Sequence, residues 1–259
     1  MSGKQENSPV VNQEAINEFL TLWKRRKNVT GAFLVGSYAT GLATSQSDID
    51  ICIILRDTAR YWQCGNTMVS GFLVEYAAYS ISYLSYLQER DLKEKMRLRT
   101  RMLATGIILF DKLGILNGLQ QQARQLIKKK LPAQTRELTE IYKYLLWDQL
   151  DNLQDLQQRQ APGFAYAYYV GLQDILRFYA AFLRSEIPRP TRINSFLTST
   201  KFQKQYGIAP LPDPYFCQIF ESAMHGPSLS IFKQLTDHVH NRMGGFSIDG
   251  WTLRRCIER

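Results

Sequence analysis

Apolar residues recur along this chain with two different periods, and the change of period divides it. Over 13–27, Ile16, Phe19, Leu20 and Trp23 fall at helical spacing, which predicts an amphipathic helix with one buried face. "GAFLVG" and "DIDICIIL" are short apolar runs of strand composition and predict two strands. "GFLVEYAAYS" (71–80) predicts a third strand, entered through a turn-like "CGNTMVSG". "SYLSYLQERDLKEKMRLRTRMLA" predicts one long helix, "GIILFD" (106–111) a fourth strand, and "LNGLQQQARQLIKKK" a further helix. Beyond Lys130-Leu131-Pro132 the strand pattern stops. Two long amphipathic segments follow, separated by Ala161-Pro162-Gly163, and predict a pair of helices. Pro188, Pro190, Pro210, Pro212 and Pro214 punctuate the next stretch, before shorter helices near 214–225 and 228–242 and a Gly244-Gly245 tail. The expected architecture is an α+β domain over 1–130, a small mixed sheet with flanking helices, followed by an all-α helical-bundle domain over 131–259.

Composition narrows the class. Hydrophobic residues make up 45% of the 259, enough for a packed core and too many for a disordered chain. No apolar run approaches the roughly 20 residues that span a bilayer, so no membrane partner is expected. The polar N-terminus, "MSGKQENSPVVNQ", lacks the basic-then-apolar layout of a secretory signal. Cys52, Cys64, Cys217 and Cys256 are scattered without a CxxC pair, which argues against a disulfide framework or a zinc knuckle. A reduced, cytoplasmic protein is the resulting expectation. The net charge of +9 is unevenly placed: 18 Lys and Arg face 11 Asp and Glu in 1–130, against 14 and 12 beyond. The surplus sits in "KRRK" (24–27), "KMRLRTR" (95–101) and "KKK" (128–130). Such runs are either solvated helix faces or an attraction for a polyanion, a nucleoside triphosphate or RNA.

The stretch "LVGSYATGLATSQSDIDICIIL" (34–55) carries the chemistry. Residues i and i+2 of a strand project to the same side, so Asp48 and Asp50 share one face while Ile49 and Ile51 point into the core. Two carboxylates held together repel unless a cation lies between them, and hard oxygen ligands suit Mg²⁺. Upstream, Gly36 allows close backbone approach and Ser37 is placed to cap the following turn or helix, where free N–H groups favour phosphate. Glu75 lies in an otherwise apolar run and becomes a third carboxylate if its strand neighbours that of Asp48 and Asp50.

Gly36-Ser37, the spacer and "SDID" resemble the signature of polymerase-β-type nucleotidyltransferases, in the small bacterial branch that includes aminoglycoside, lincosamide and minimal nucleotidyltransferases. "GIILFDKLGILNGL" is similar to the last strand and helix of their catalytic domains, and the helical half resembles their substrate-binding domain in kind. The resemblance implies that Gly36 and Ser37, with Asp48 and Asp50, bind the nucleotide. It implies that Asp48, Asp50 and Glu75 form the catalytic, metal-holding set for two Mg²⁺ ions. Glu75 stands where many relatives carry aspartate, and is a metal ligand or the base. The implied donor is ATP or another nucleoside triphosphate, and the product besides the modified acceptor is pyrophosphate.

The helical half offers weaker candidates for the acceptor. Asp148, Asp151 and Asp155 share a helix face with Tyr144, and together with Tyr166 form a candidate wall for a cationic or ring-bearing molecule. Asp174 and Arg177, one turn apart, are expected to pair; His238 and His240, two apart on a helix, diverge and are not expected to hold a metal. The near-neutral second half favours a small hydroxylated acceptor, an aminoglycoside-like antibiotic among them, over RNA or a protein hydroxyl, and the presence of all three carboxylates disfavours a purely regulatory nucleotide-binding role. A monomer or homodimer is expected.

Overall fold

A computed structural model of the chain describes residues 13–254. The leading residues 1–12 and Cys256, both used above, lie outside the described residues. Two compact units emerge. One holds the described residues up to Lys130 together with Lys201–Ile208, the other Leu131–Thr200 with the described residues from Ala209 onward.

The first unit is a five-stranded mixed sheet with helices on both faces. Its elements are α1 (Gln13–Arg25), β1 (Val29–Val35), α2 (Gly36–Thr40), β2 (Ile49–Leu55), β3 (Gln63–Val69), β4 (Phe72–Ser80), α3 (Ile81–Lys93), α4 (Leu98–Thr105), β5 (Ile107–Asp111) and α5 (Leu116–Leu126). The strand order is β3-β4-β2-β1-β5, and only β2 and β4 run parallel. β1 is buried along its whole length and β2 nearly so, because both faces of the sheet are covered; this is why both read as unbroken apolar runs. On one face Ile16, Leu20 and Trp23 of α1 pack on Leu34, Ile49, Ile51, Ile53 and Val74. On the other, Phe33, Cys52 and Ile54 meet Leu84, Leu103 and Leu116 of the later helices.

Two expectations for this unit are corrected. "CGNTMVSG" is not a turn: Gln63–Val69 form β3, antiparallel to β4, and only Ser70-Gly71 turn the chain, both at positive φ (48° and 82°). Positive φ at both central residues suits a tight hairpin. β3 is an edge strand, largely exposed, so it needs no apolar alternation and its sequence lacks the usual signal. The single long helix is two, α3 and α4. Buried Asp91 accepts the Arg99 N–H (2.8 Å) and the Arg99 guanidinium (2.7 Å), and Lys95 takes positive φ (58°), so the chain re-enters a helix at a new angle without glycine or proline.

The second unit is helical. Around α6 (Arg136–Gln158), α7 (Phe164–Phe182), α10 (Pro214–Met224) and α11 (Leu229–Arg242), buried Tyr168, Tyr179, Phe216 and Phe232 fill the core. Two short helices in the proline-punctuated stretch were not expected: α8 (Ile193–Thr198) belongs to this unit, and α9 (Thr200–Tyr206), from Lys201 onward, to the first. Cys52, Cys64 and Cys217 are free thiols. Among the described residues no helix is long and apolar enough to cross a membrane.

Candidate active site

The site forms where β1 ends and β2 begins. Val35, the last residue of β1, lies opposite Asp50 in the antiparallel register, and Asp50 lies opposite Glu75 in the parallel register of β2 and β4. Backbone pairing therefore fixes Gly36, Asp50 and Glu75 side by side. Alternation then selects the face. Ile49, Ile51 and Val74 enter the α1 core and Tyr76 packs against it, its ring 5.4 Å from that of Phe19, which turns Asp48, Asp50 and Glu75 to the opposite side. Oxygen atoms of these three half-buried carboxylates all lie within 4.8 Å of one another. Charges so close favour a bound cation, and a donor set of carboxylate oxygens fits a hard divalent ion such as Mg²⁺.

Gly36 is required here on two counts. Its φ is +68°, and a Cβ built on it would overlap the Asp50 carboxylate. Gly36→Ala is thus expected to strain the turn and push Asp50 out of register with Glu75. Transfer activity should fall at least about a hundredfold, and stability by about 1–2 kcal/mol, read by urea titration. An active, fully stable alanine variant would contradict this packing.

Ser37 departs from its expected role as a cap. The helix starts one residue earlier, with Val35 at the N-cap and no side-chain cap, so Ser37 lies inside the first turn of α2. That single turn is closed from its far end, where Thr40 Oγ1 donates to the Gly36 carbonyl (3.0 Å) and Gly41, at φ +70°, donates its N–H to the Ser37 carbonyl. The hydroxyl of Ser37 makes no hydrogen bond among the described residues. The polar loop after it is ordered by its own atoms: Ser47 N–H donates to the Thr44 carbonyl (3.0 Å) and Thr44 N–H to Ser47 Oγ (2.9 Å).

The acceptor candidates lie in the second unit. Asp148 accepts a bond from Asn152 (3.1 Å), Asp151 is exposed, and Asp155 is ion-paired with Arg159, so the acidic stripe is partly neutralised. Tyr144 stacks on Trp251 at 4.4 Å, whereas Tyr166 is 79% exposed. Asp174 pairs with Arg177 (2.9 Å), as expected. His238 and His240 diverge: one donates to Asp213 (2.8 Å), the other to the Lys143 carbonyl (2.9 Å), where burial lowers its pKa. The polar group that pattern reading passed over is Asp213 itself. It caps α10 through the Phe216 N–H (3.0 Å), accepts from Tyr179 and His238, and lies 3.6 Å from the Arg242 guanidinium as an ion pair, while Arg242 itself donates to the Tyr179 hydroxyl. Its signal was present, since aspartate followed by proline is a common helix start.

Residues 13–139 match the family model described as a nucleotidyltransferase domain. No curated protein matches the sequence. Among solved structures, a nucleotidyltransferase-like protein from Exiguobacterium sibiricum is similar over 89% of this chain and 76% of its own, at 17% identity and a TM-score of 0.41. The family match spans β1 through β5, and with them the Gly-Ser turn and the three carboxylates. Residues 13–139, just under half of the chain, are thus similar to a nucleotidyltransferase domain.

Proposed function

We propose that this protein moves a nucleoside monophosphate from a nucleoside triphosphate, ATP in the first instance, onto a hydroxyl of a small acceptor. The observation that carries this reading is the convergence of Asp48, Asp50 and Glu75 beside the Gly36-Ser37 turn. Asp48 and Asp50 would hold two Mg²⁺ ions, with Glu75 as a third ligand or as the base. Bound there, the cations would neutralise charge developing on the phosphate oxygens. Gly36, whose missing side chain makes room for the Asp50 carboxylate, would offer its backbone N–H to the phosphates, and the Ser37 hydroxyl would donate to them. The acceptor oxygen attacks the α-phosphorus in line; the bond to the bridging oxygen breaks and pyrophosphate leaves. The acceptor proton passes to a carboxylate, Glu75 being the nearest candidate. Asp148, Asp151 and Tyr166 are the proposed acceptor contacts: half-buried Asp148, the exposed charge of Asp151 and an exposed ring suit a cationic, ring-built molecule such as an aminoglycoside.

Pyrophosphate release is the direct assay, with four nucleoside triphosphates crossed with aminoglycosides, lincosamides and bulk tRNA in 10 mM Mg²⁺. Release dependent on one acceptor is expected, and EDTA in excess should lower it at least about a thousandfold. Nucleotide binding without release for any acceptor would favour a regulatory, non-catalytic role.

A further inference from the structure

The cationic run at 24–27 has no part in the carboxylate site. Arg56 follows the last residue of β2, six residues from Asp50, and a strand rises about 3.3 Å per residue, so about 20 Å separates them. The cations of 24–27 gather at that far end. Arg56 Nε donates to the Lys27 carbonyl (3.2 Å), and Lys112, just past β5, donates to the carbonyls of Lys24 (2.8 Å) and Arg26 (3.1 Å). Arg60 lies beside Tyr61, whose hydroxyl accepts from Asn28 (2.7 Å). All seven cations are exposed, and none forms an ion pair among the described residues. The two acids of this end are turned onto backbone. Asp57 accepts the Ser82 N–H (2.9 Å), and Asp111 those of Gly114 (2.9 Å) and Leu116 (2.8 Å). Amid the positive charge stand two exposed rings, Tyr61 at 47% and Trp62 at 54%.

We infer that this end of the sheet is a binding surface for RNA with unpaired bases: the cations meet phosphates and Trp62 stacks a base. Helix-end electrostatics explains Lys24 and Arg25, in the last turn of α1, and Lys112, which caps the carbonyls that end it, and Arg26 lies over the Trp23 ring (3.9 Å). It does not explain Arg56 and Arg60, or an exposed indole two residues from Arg60 in the loop that joins β2 to β3. Positive charge combined with aromatic faces is what single-stranded nucleic acid selects. An anionic bilayer also attracts cations, but an interfacial tyrosine leaves its hydroxyl among the headgroups. Here the Tyr61 hydroxyl is turned back to Asn28. The inference does not rest on nucleotidyl transfer or on which acceptor is used.

Fluorescence anisotropy of a labelled 20-nucleotide oligo(U), in EDTA and without nucleotide, tests it on the full chain. With about six phosphates engaged, log Kobs should fall with log [NaCl] at a slope of about −4. The charge reversals R25E/K27E/R60E, at exposed side chains that form no ion pair among the described residues, should weaken binding at least about tenfold, and W62A by about tenfold with W62F restoring it. Circular dichroism confirms that the variants fold. Asp50→Asn should bind the RNA as the wild type does, which separates this surface from the carboxylate site. A slope near zero, wild-type binding by the triple variant, or binding to phosphatidylserine vesicles in place of RNA would overturn the inference.

Discussion

Asp50→Asn is expected to lower nucleotidyl transfer at least about a thousandfold while leaving the fold unchanged. Asp50 is the residue on which the site converges: its register partners are Val35, which leads into Gly36, and Glu75. Asparagine keeps the shape that packs against Gly36 and removes only the charge. A neutral amide oxygen is a far poorer ligand for a divalent cation, and loss of several kcal/mol of charge stabilisation corresponds to three or more powers of ten in rate. Removing one of three carboxylates within 4.8 Å also relieves repulsion, so the variant without metal should be no less stable than the wild type. Thermal unfolding supplies a readout independent of turnover. Magnesium at 10 mM should raise the unfolding midpoint of the wild type and leave that of Asp50→Asn nearly unmoved. Wild-type turnover by this variant would remove the carboxylate site from the mechanism.

The sheet-bearing half was legible because its candidate chemistry and its strand pattern occupy the same residues. Asp48-x-Asp50 opens an apolar run, so the alternation that buries Ile49 and Ile51 also exposes the carboxylates on one side. Glu75 could be paired with them only on the condition that β4 neighbours β2, and the parallel register meets that condition. Three features escaped for physical reasons. β3 is an exposed edge whose residues carry no buried face to pattern them. The break between α3 and α4 is made by a buried long-range group, Asp91 with Arg99, rather than by a local breaker. α8 and α9 are too short for a hydrophobic period to register, and α9 packs with the first unit although it follows the start of the second in sequence. The helical half stays least legible. Its candidate carboxylates are partly engaged by Asn152 and Arg159, and surface polar residues carry no pattern that distinguishes a ligand wall from a solvated face.

Asp213→Ala is expected to cost the second unit about 3 kcal/mol and to lower its unfolding midpoint by about 10 °C. Asp213 ties three helices: it caps α10, accepts from Tyr179 of α7 and His238 of α11, and is ion-paired at 3.6 Å with Arg242 of α11. Alanine would leave the buried Tyr179 hydroxyl and the largely buried His238 without their acceptor and remove the cap, whereas Arg242, half in water, would turn to solvent. The pH dependence identifies the cause. Burial alone would raise the Asp213 carboxyl, but the hydrogen bonds from Tyr179, the Phe216 N–H and His238 outweigh it and hold the carboxyl below its ordinary value. A carboxyl depressed in the folded state stabilises fully above its unfolded pKa, about 3.9, and that contribution is lost as pH falls through the folded value. For Tyr179 the sign is opposite: burial, aided by Asp213, pushes its hydroxyl up to about 12, so its contribution holds below about 10 and is lost as pH rises toward 12. Urea titrations at pH 7, 3 and 11 should show the gap between wild type and Asp213→Ala widest at pH 7 and narrowed at pH 3. Asp213→Asn, which keeps the cap and one acceptor, should fall between them. A gap that stayed constant from pH 7 to pH 3 would mean that the carboxylate charge does not hold α7, α10 and α11 together.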